Sequence, residues 1–361
     1  MTAITKWGRV LAVVLIVLTP LQAQAWHNRG HHAIARIAWL RLIELGLDRQ
    51  ATDLLNSHPH RDLYLAAMPP EGVERDEWMF VQSATWADWV RKPMAPTLDE
   101  QQARALSDEF NKPVWHYVNL PYVHPTETDK FAADKIRQTT LEPELDEQGR
   151  PRHVIAALKY NLQVLKNVNA PSADRAVALS WLMHLTGDLH QPLHAVGLIA
   201  TKDAVEHEDL NPPSGDQGGN RLAVRSIASQ PGAVSLHFYW DALVLGDQPY
   251  AAVQGRVGAW LNDPKFQRRE FTEALGKTEF RDWAEESWKL AQSVVYADGD
   301  QFLKFQTLPD RYSRTSLETL QAPVLSADYQ RRADEAAQKR MVLAGYRLGD
   351  LIAKSFQETS K

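Results

Sequence analysis

Histidine and aspartate occur at metal-ligand spacing in the segment WLMHLTGDLHQPLHAVG, residues 181–197. His184 and Asp188 are four residues apart in a helical pattern, so both should project from the same face, one turn apart. Pro192 should end this helix, and His194 can then return toward the same face from the following turn. Three metal-type ligands can thus converge. A single pair of this spacing is also typical of a helix end with polar capping neighbours.

The same spacing recurs in the segment SLHFYWD, where His237 and Asp241 are four residues apart. Phe238 and Trp240 flank them with apolar side chains. Two such pairs on separate helices suit packing around a shared interior metal centre, as in metal sites built inside helical bundles. The repetition favours a metal centre over two unrelated helix ends.

Three further segments each offer a single side-chain ligand. SATWADWVR contains Asp88, VWHYVNLP contains His116, and WHNRGHH contains His31. An aspartate between tryptophans can simply cap a helix, and a lone histidine beside a tryptophan is often a packed core residue. Each of these three residues is therefore a candidate ligand with an ordinary structural alternative.

Residues 1–25 are predicted to form a cleaved signal peptide, because a positively charged start and a short apolar run lead to the small-x-small sequence Ala23-Gln24-Ala25. Cleavage would make Trp26 the first residue of the mature chain. Its α-amino nitrogen and carbonyl oxygen could then chelate a metal ion that His31 also reaches. We therefore expect an exported protein, periplasmic or secreted, whose processing creates a metal ligand.

The chain of 361 residues contains no cysteine and has a formal net charge of −5. The predicted signal carries Lys6, Arg9 and no acidic residue, so its removal takes the net charge to −7. Composition thus does not indicate a strongly basic nucleic-acid groove. Imidazole and carboxylate ligands without thiolate suit hydrolytic zinc better than structural zinc, and the supply exceeds what one tetrahedral ion can use. The candidate ligands are Trp26, His31, Asp88, His116, His184, Asp188, His194, His237 and Asp241.

Apolar residues recur at helical spacing in several stretches, which predicts an all-α fold. The stretches are 32–45, which stops at Gly46, and 154–168, 173–187, 282–296 and 335–355. The segment RLAVRS alternates as a strand does and predicts at most a short β-hairpin. Proline and polar residues predict long loops at 121–153, 201–220 and 307–330. We expect one mainly helical domain over residues 26–361, with these loops around a site.

The joint pattern of these motifs resembles one protein family. The motifs are W-x4-H (Trp26, His31), W-A-D-W-x-R (Trp86 to Arg91), W-H-Y-V-N (Trp115 to Asn119), H-x3-D-x-H-Q-P-L-H (His184 to His194), G-D-x-G-G-N (Gly215 to Asn220) and L-H-x3-D (Leu236 to Asp241). In this order they resemble the secreted zinc-dependent single-strand nucleases and 3′-nucleotidases of the S-one/P-one type. The resemblance implies the helical phospholipase C/nuclease-like fold, and the lack of cysteine fits a bacterial member.

The resemblance also implies three zinc ions at the bottom of a cleft. By motif position, the first zinc would be held by Asp88, His116 and His184, the second by His194, His237 and Asp241, and the third by Trp26 and His31, with Asp188 bridging the third to the first. Zinc lowers the pKa of a bound water to about 7, and closely spaced metals stabilise the attacking and leaving oxygens of phosphoryl transfer. The implied reaction is in-line cleavage of the P–O3′ bond of single-stranded DNA or RNA, and of 3′-mononucleotides, with 5′-phosphorylated products from nucleic acid.

Further roles follow from the same resemblance. Asp88 is expected to help orient the attacking water, and Arg91 to neutralise charge on the phosphate. The expected substrate-binding residues are Tyr117, which would stack on a base, Asn119, which would meet the base edge, and Asn220, which would support the site. Tyr117 could equally be an ordinary packing aromatic residue.

The chain departs from the family pattern at two positions. It has His27 where the family usually has glycine after the N-terminal tryptophan, and Ser235 where asparagine usually precedes the last histidine. Two other functions stay open. A zinc-dependent phospholipase C has a similar fold, but it usually carries glutamate at the position of Asp241. A non-catalytic exported zinc-binding protein would have no need for open metal positions. For the nuclease and for both alternatives, we expect no stable protein partner and no membrane anchor.

Overall fold

The computed structural model describes residues 26–131, 144–206, 208–227, 229 and 232–359, and it is mainly helical. The predicted signal peptide and part of the predicted loop at 121–153 lie outside these residues. The α-helices are α1 (Asn28–Leu45), α2 (Asp48–Leu55), α3 (Arg75–Ser83), α4 (Trp86–Trp89), α5 (Glu100–Phe110), α6 (Val154–Lys166), α7 (Ser172–His190), α8 (Leu236–Asp241), α9 (Tyr250–Asn262), α10 (Thr272–Gly276), α11 (Phe280–Leu290), α12 (Arg314–Thr319) and α13 (Ala327–Thr359). All five predicted helical stretches are confirmed, the fourth as α11 continued by the π-helical turn Ala291–Val295, and so is the fold class.

Several helices were not predicted from the sequence. Among them, α5 has no buried residue, so no apolar period marks it; a capping box between Asp99 and Gln102 begins it instead. The predicted loop at 307–330 is wrong in part, because α12 and the first turn of α13 lie within it. Polar helices of this kind are stabilised by caps and by tertiary contacts, which hydrophobic periodicity does not reveal.

Helix α1 lies against the long C-terminal helix α13. It ends at Gly46, whose left-handed φ of 68° lets its N–H reach back to the carbonyls of the last turn. The two helices approach closely, since a Cβ added at Gly345 would lie 2.6 Å from the Cβ of Ile37 and one at Gly349 would lie 3.0 Å from that of Arg41. This close packing holds α1, the helix that carries His31, against α13.

Helix α7 is the central element of the fold. From Leu179 to His190 every residue is buried, so this part of the helix is surrounded by protein on all sides. It packs beside α6 and ends before Pro192, as predicted. A short 3₁₀ turn, Pro192–Ala195, follows and carries His194.

Short strands are more numerous than predicted. Those described are β1 (Leu120–Val123), β2 (Val196–Ile199), β3 (Leu222–Val224), β4 (Val234–Ser235), β5 (Ala297–Asp298), β6 (Gln301–Phe302) and β7 (Gln306–Thr307). β1 pairs in parallel with β2, β3 lies between β4 and β7 in an antiparallel sheet, and β5 and β6 form a hairpin. The expectation of at most one hairpin is therefore corrected. Strands of two to four residues, such as the wholly buried β2, are too short to show an alternating pattern.

One large cluster of buried apolar residues extends from Trp26 through α1, α7 and α11 to Phe356 in α13. A small second cluster lies around β3 and α12. Among the helices of the described residues, none combines the length and the apolar character needed to cross a bilayer.

Candidate metal centre

Six separate elements bring the candidate side chains to one interior region. The contributing elements are α1 (His31), α4 (Asp88), the 3₁₀ turn Pro113–His116 (His116), α7 (His184 and Asp188), the turn after α7 (His194) and α8 (His237 and Asp241). Each of these eight residues is buried, with at most 6% of its surface exposed. Charged and titratable groups are rarely buried so completely unless they are paired or bind metal.

The first group of facing ligand atoms comprises His116, His184 and Asp188. His116 Nδ1 lies 2.9 Å from Asp188 Oδ2 and 3.1 Å from His184 Nε2, and His184 Nε2 lies 3.3 Å from the same carboxylate oxygen. Two ligand atoms on one tetrahedral zinc, each about 2.0 Å from it, lie about 3.3 Å apart. The three atoms are thus spaced as ligands of one ion would be.

The second group comprises His194, His237 and Asp241. The two Nε2 atoms of the histidines lie 3.1 Å apart, and His237 Nε2 lies 3.3 Å from Asp241 Oδ2. Gln191 Nε2 donates to the other oxygen of Asp241 at 2.8 Å, which orients the carboxylate. As predicted from their spacing, His237 and Asp241 lie on one face of a helix.

The third group is arranged around His31. Its Nε2 lies 3.4 Å from Asp188 Oδ1, its ring stacks on that of His184 at 4.1 Å, and Asp88 completes a set with these two histidines. Asp188 therefore directs one oxygen to His31 and the other to His116, as a bridging ligand would. Asp88 groups with His31 and His184, whereas motif position alone assigned it with His116 and His184.

Hydrogen bonds to backbone carbonyls fix the orientation of three imidazoles. Nδ1 of His184 donates to Ala84 O at 2.8 Å, Nδ1 of His194 to His116 O at 2.7 Å, and Nδ1 of His237 to Gly218 O at 2.7 Å. A carbonyl oxygen can only accept, so in each neutral ring the hydrogen is on Nδ1 and Nε2 carries a lone pair. This arrangement of the second ring nitrogen is usual for metal-binding histidine.

The lone pairs on the Nε2 atoms of His194 and His237 point at each other. His194 Nε2 and His237 Nε2 are both acceptors, yet they face each other at 3.1 Å in a region without exposed surface. Two facing acceptors repel, and a cation between them removes the repulsion. Among the remaining ligand atoms of the described residues, those buried without a hydrogen-bond partner include both ring nitrogens of His31, both oxygens of Asp88 and Asp188 Oδ1. Such atoms are costly to bury unless something binds them, so the residues fit metal ions.

For three of the candidate imidazole ligands, burial shifts the pKa in the direction that metal binding needs. It holds the pKa values of His31, His116 and His194 well below the usual range of histidine, so the imidazoles stay neutral. Burial also lowers the pKa of His184, but the facing carboxylates of Asp188 and Asp88 outweigh it and the net shift is upward. A neutral imidazole needs no deprotonation before it binds a metal.

Trp26 lies wholly buried at the start of α1. Its side chain packs on Gly30, where an added Cβ would lie 2.7 Å from the Trp26 Cβ. The next residue, His27, donates its backbone N–H to Asp241 O at 3.0 Å. These contacts hold the backbone of the predicted N-terminus beside the second ligand group.

The residues expected to act in catalysis or to bind substrate differ in their distance from the ligand groups and in their exposure. Arg91 Nε lies 3.3 Å from Asp88 Oδ1, so its guanidinium borders the ligand groups. Tyr117, directly after His116, is 39% exposed, and Asn119 is half-buried two residues further on. Asn220 donates its side-chain amide to Gln217 O at 2.8 Å, so the structure shows it closing its own turn.

Sequence reasoning gave no role to several residues that support the ligands. Gln191 orients Asp241, and Asp216 accepts hydrogen bonds from the N–H groups of Leu198 and Gly219 and from the Tyr296 hydroxyl. Asp216 thereby holds the glycine turn whose carbonyl orients His237. Both residues lie inside quoted motifs and are wholly buried. For Gln191, the available signal was its position between two candidate ligands, Asp188 and His194, in the sequence.

Two glycines make room for the site. A Cβ at Gly187 would lie 2.7 Å from His31 Nδ1, so this glycine leaves space beside the candidate ligands of α7. Gly218 has a positive φ of 60°, and a Cβ there would lie 2.3 Å from Leu193 O. Larger residues at either position would displace a candidate ligand.

One family and one relative are similar to the chain after the predicted signal, and the family match covers nearly all of it. The family described as S1/P1 Nuclease matches residues 26–357. Endonuclease 2 of Arabidopsis thaliana is 24% identical over 260 residues, which cover 69% of this chain and 67% of the plant protein.

Proposed function

Because this chain belongs to the S1/P1 nuclease family, we propose that it is an exported zinc-dependent phosphodiesterase that hydrolyses single-stranded DNA and RNA. Cleavage of the P–O3′ bond would leave 5′-phosphorylated products, and 3′-mononucleotides would be further substrates. The substrate is nucleic acid, as the family implies. Export is supported by the sequence pattern of residues 1–25.

The observation that carries the proposal is the pair of imidazole lone pairs that face each other at 3.1 Å between His194 and His237. Both rings are fixed by carbonyls, so neither can turn away. The buried and unpartnered ligand atoms of His31 and Asp188 lie within the same region. Burying these atoms is costly in the absence of a bound cation.

The proposed metal content is three zinc ions per chain. The proposed ligands are Asp88, His116, His184 and Asp188 for the first, His194, His237 and Asp241 for the second, and Trp26 and His31 with Asp188 and Asp88 for the third. When bound, zinc supplies a water of lowered pKa and positive charge for the phosphate oxygens. That charge would also attract a polyanion to the site of a chain whose overall net charge is negative.

The side chains around the ligand groups complete the proposed site. Arg91 neutralises a phosphate oxygen through its planar donor fork, and Asp88 holds that guanidinium in place. Asp88 also orients the attacking water by accepting its hydrogen. Tyr117 offers an exposed ring on which an unpaired base can stack, and Asn119 meets the base edge. Asn220 supports the site by closing the turn next to Gly218 and Gly219.

The test is hydrolysis of single-stranded DNA, single-stranded RNA and matched duplexes by the processed protein, with product ends identified. We expect 5′-phosphorylated products from both single strands, slower cleavage of duplexes, and zinc at about three ions per chain. His237→Ala should abolish activity. Full zinc content with release of a phosphorylated head group from phospholipid, and no cleavage of nucleic acid, would show a phospholipase C instead. Full zinc content without any phosphodiesterase activity would show a zinc-binding protein.

A further inference from the structure

A second exposed aromatic ring lies directly after a candidate metal ligand. Phe238 follows His237 on α8 and is 43% exposed, whereas Leu236, His237 and Trp240 of the same short helix are buried. The helix therefore directs this ring outward from the ligand group formed by His194, His237 and Asp241. An isolated exposed phenylalanine needs no explanation; this one lies where the helix that supplies two ligands meets solvent.

His27 packs against this ring. The two ring centroids lie 5.0 Å apart with an interplanar angle of 67°, an edge-to-face contact. The His27 backbone N–H donates to Asp241 O at 3.0 Å, so the contact is anchored at the end of the same helix. His27 and Phe238 thus form an aromatic pair between the backbone of Trp26 and the His237 ligand group.

An acidic side chain lies beside this aromatic pair. Asp247 Oδ1 lies 3.8 Å from His27 Nδ1, and the Asp247 side chain is 99% exposed. An acid disfavours a phosphate at this position, while the face of a neutral base can stack on the exposed phenyl ring. The chemistry of the pair therefore fits a base and not another phosphate.

Tyr117 occupies the equivalent sequence position beside a different ligand group. It follows His116, whose Nδ1 faces His184 and Asp188, and its ring is 39% exposed. The ligand atoms of His116 and His237 belong to two separate metal-ligand sets. A scissile phosphate held between these sets would have one exposed aromatic ring associated with each set.

We propose that Phe238, packed on His27, forms a second base-stacking subsite, which takes the base of the nucleotide across the scissile phosphate from the one held by Tyr117. This inference rests on the proposed function and extends it. The preferred substrate is then at least a dinucleotide with unpaired bases on both sides of the cleaved bond. Duplex substrates are disfavoured at both subsites, because paired bases present no free face.

The experiment compares kcat/KM of the zinc-loaded wild type, Phe238→Ala and Tyr117→Ala on three dinucleotides. One has two bases, one lacks the upstream base and one lacks the downstream base. We expect Phe238→Ala to lower kcat/KM on the two-base substrate about 5- to 150-fold, as for the loss of one stacked base. This loss should vanish with one of the two single-base substrates, and the loss caused by Tyr117→Ala should vanish with the other.

Three controls make the result decisive. Phe238→Tyr keeps a stacking face and should retain the wild-type pattern, and Val168→Ala, which removes an exposed apolar side chain elsewhere, should change nothing. Zinc content should be unchanged in Phe238→Ala. Equal losses on all three substrates, with or without loss of zinc, would overturn the inference, as would no loss on the two-base substrate. Inactivity of the wild type on every dinucleotide and on longer strands would instead overturn the proposed function.

Discussion

At the scale of single residues, Gly187 has no Cβ, and this absence leaves room for the candidate ligand His31. Gly187→Ala would place a Cβ 2.7 Å from His31 Nδ1, so the imidazole must move away from Asp188. We expect the affinity for one metal ion to fall about 10- to 100-fold, as for the loss of a group that positions a ligand. Metal titration followed by elemental analysis measures this change.

Gly255→Ala is the matched control for this prediction. Gly255 also lies inside a helix, α9, but a Cβ there meets nothing within 4 Å. This substitution should leave metal affinity unchanged and raise the free energy of unfolding by up to about 1 kcal/mol. Equal metal affinity in the two variants would contradict the placement of His31.

Arg91 is predicted to act on the substrate and not on the metals. Its guanidinium borders Asp88 at 3.3 Å but is not itself a ligand. Arg91→Ala should therefore lower kcat about 100-fold, the magnitude typical for loss of one donor to a developing negative charge, with zinc content preserved. Loss of zinc in this variant would show instead that Arg91 mainly supports Asp88. Steady-state kinetics together with elemental analysis separate the two outcomes.

At the scale of elements, the end of α7 depends on helices distant in sequence. Ser287 in α11 donates to Leu189 O, and Arg340 in α13 donates to His190 O at 3.2 Å. Glu286 accepts hydrogen bonds from Arg340 and from Arg347 at 2.8 to 3.1 Å. These side chains satisfy the terminal carbonyls of the helix that carries two candidate ligands.

Glu286→Gln should lower the free energy of unfolding by about 3 kcal/mol, because it leaves two buried guanidinium groups without their carboxylate. Burial raises the pKa of Glu286, but the bonds from Arg347 and Arg340 outweigh it and the net pKa is lowered from 4.5. A depressed pKa contributes stability above the unfolded-state value, so the difference from wild type should be constant above pH 4.5 and shrink as the pH falls below it.

Urea denaturation of the metal-free proteins across this pH range measures the effect without interference from metal release. Glu335→Gln on α13 is the control, since Glu335 pairs with Arg331 at 3.0 Å in an exposed position. Its expected effect is below about 0.5 kcal/mol at every pH. A pH-independent difference between Glu286→Gln and wild type would contradict the assigned ion pairs.

At the scale of the whole molecule, Trp26 has two roles: it is the predicted first residue of the mature chain, and it is part of the folded core. The residue is fully buried in the core cluster that extends to Phe356. If the Trp26 α-amino group binds a metal, a mature chain that retains Ala25 should lose about one zinc ion and most of its activity, because an amide nitrogen is a poor ligand at neutral pH.

The measurement is zinc content and nuclease activity of chains that start at Trp26 and at Ala25. A chain with one extra residue at the C-terminus serves as the control and should behave as the chain that starts at Trp26. Equal zinc content and activity in all three would leave the nuclease proposal in place and remove Trp26 from the ligand set.

The sequence by itself determined which residue types could bind metal and which pairs share a face. His184 with Asp188, and His237 with Asp241, lie one turn apart on α7 and α8 because the helical repeat fixes neighbours four residues apart. The helices with a strong apolar period, the stop at Gly46 and the turn at Pro192 follow from equally local rules. The motif order also sufficed to indicate the family.

Only the tertiary structure decided how these pairs combine. His116 meets Asp188 across 72 residues, and the Gly218 carbonyl fixes the ring of His237. The two oxygens of Asp188 serve different ligand groups, and Asp88 faces His31, which motif position had not assigned to it. Contacts between distant segments depend on how whole helices pack, and no local spacing encodes that packing.

The dependence on contacts between distant segments also explains which elements could not be predicted from the sequence. Short buried strands such as β2 exist because a neighbouring strand pairs with them, and α5 exists through its capping box and exposed polar residues. The polar groups that hold the end of α7 come from α11 and α13, which follow the last of the quoted motifs in the sequence. Local patterns thus indicated the candidate ligands, while long-range packing brought them together into a candidate site.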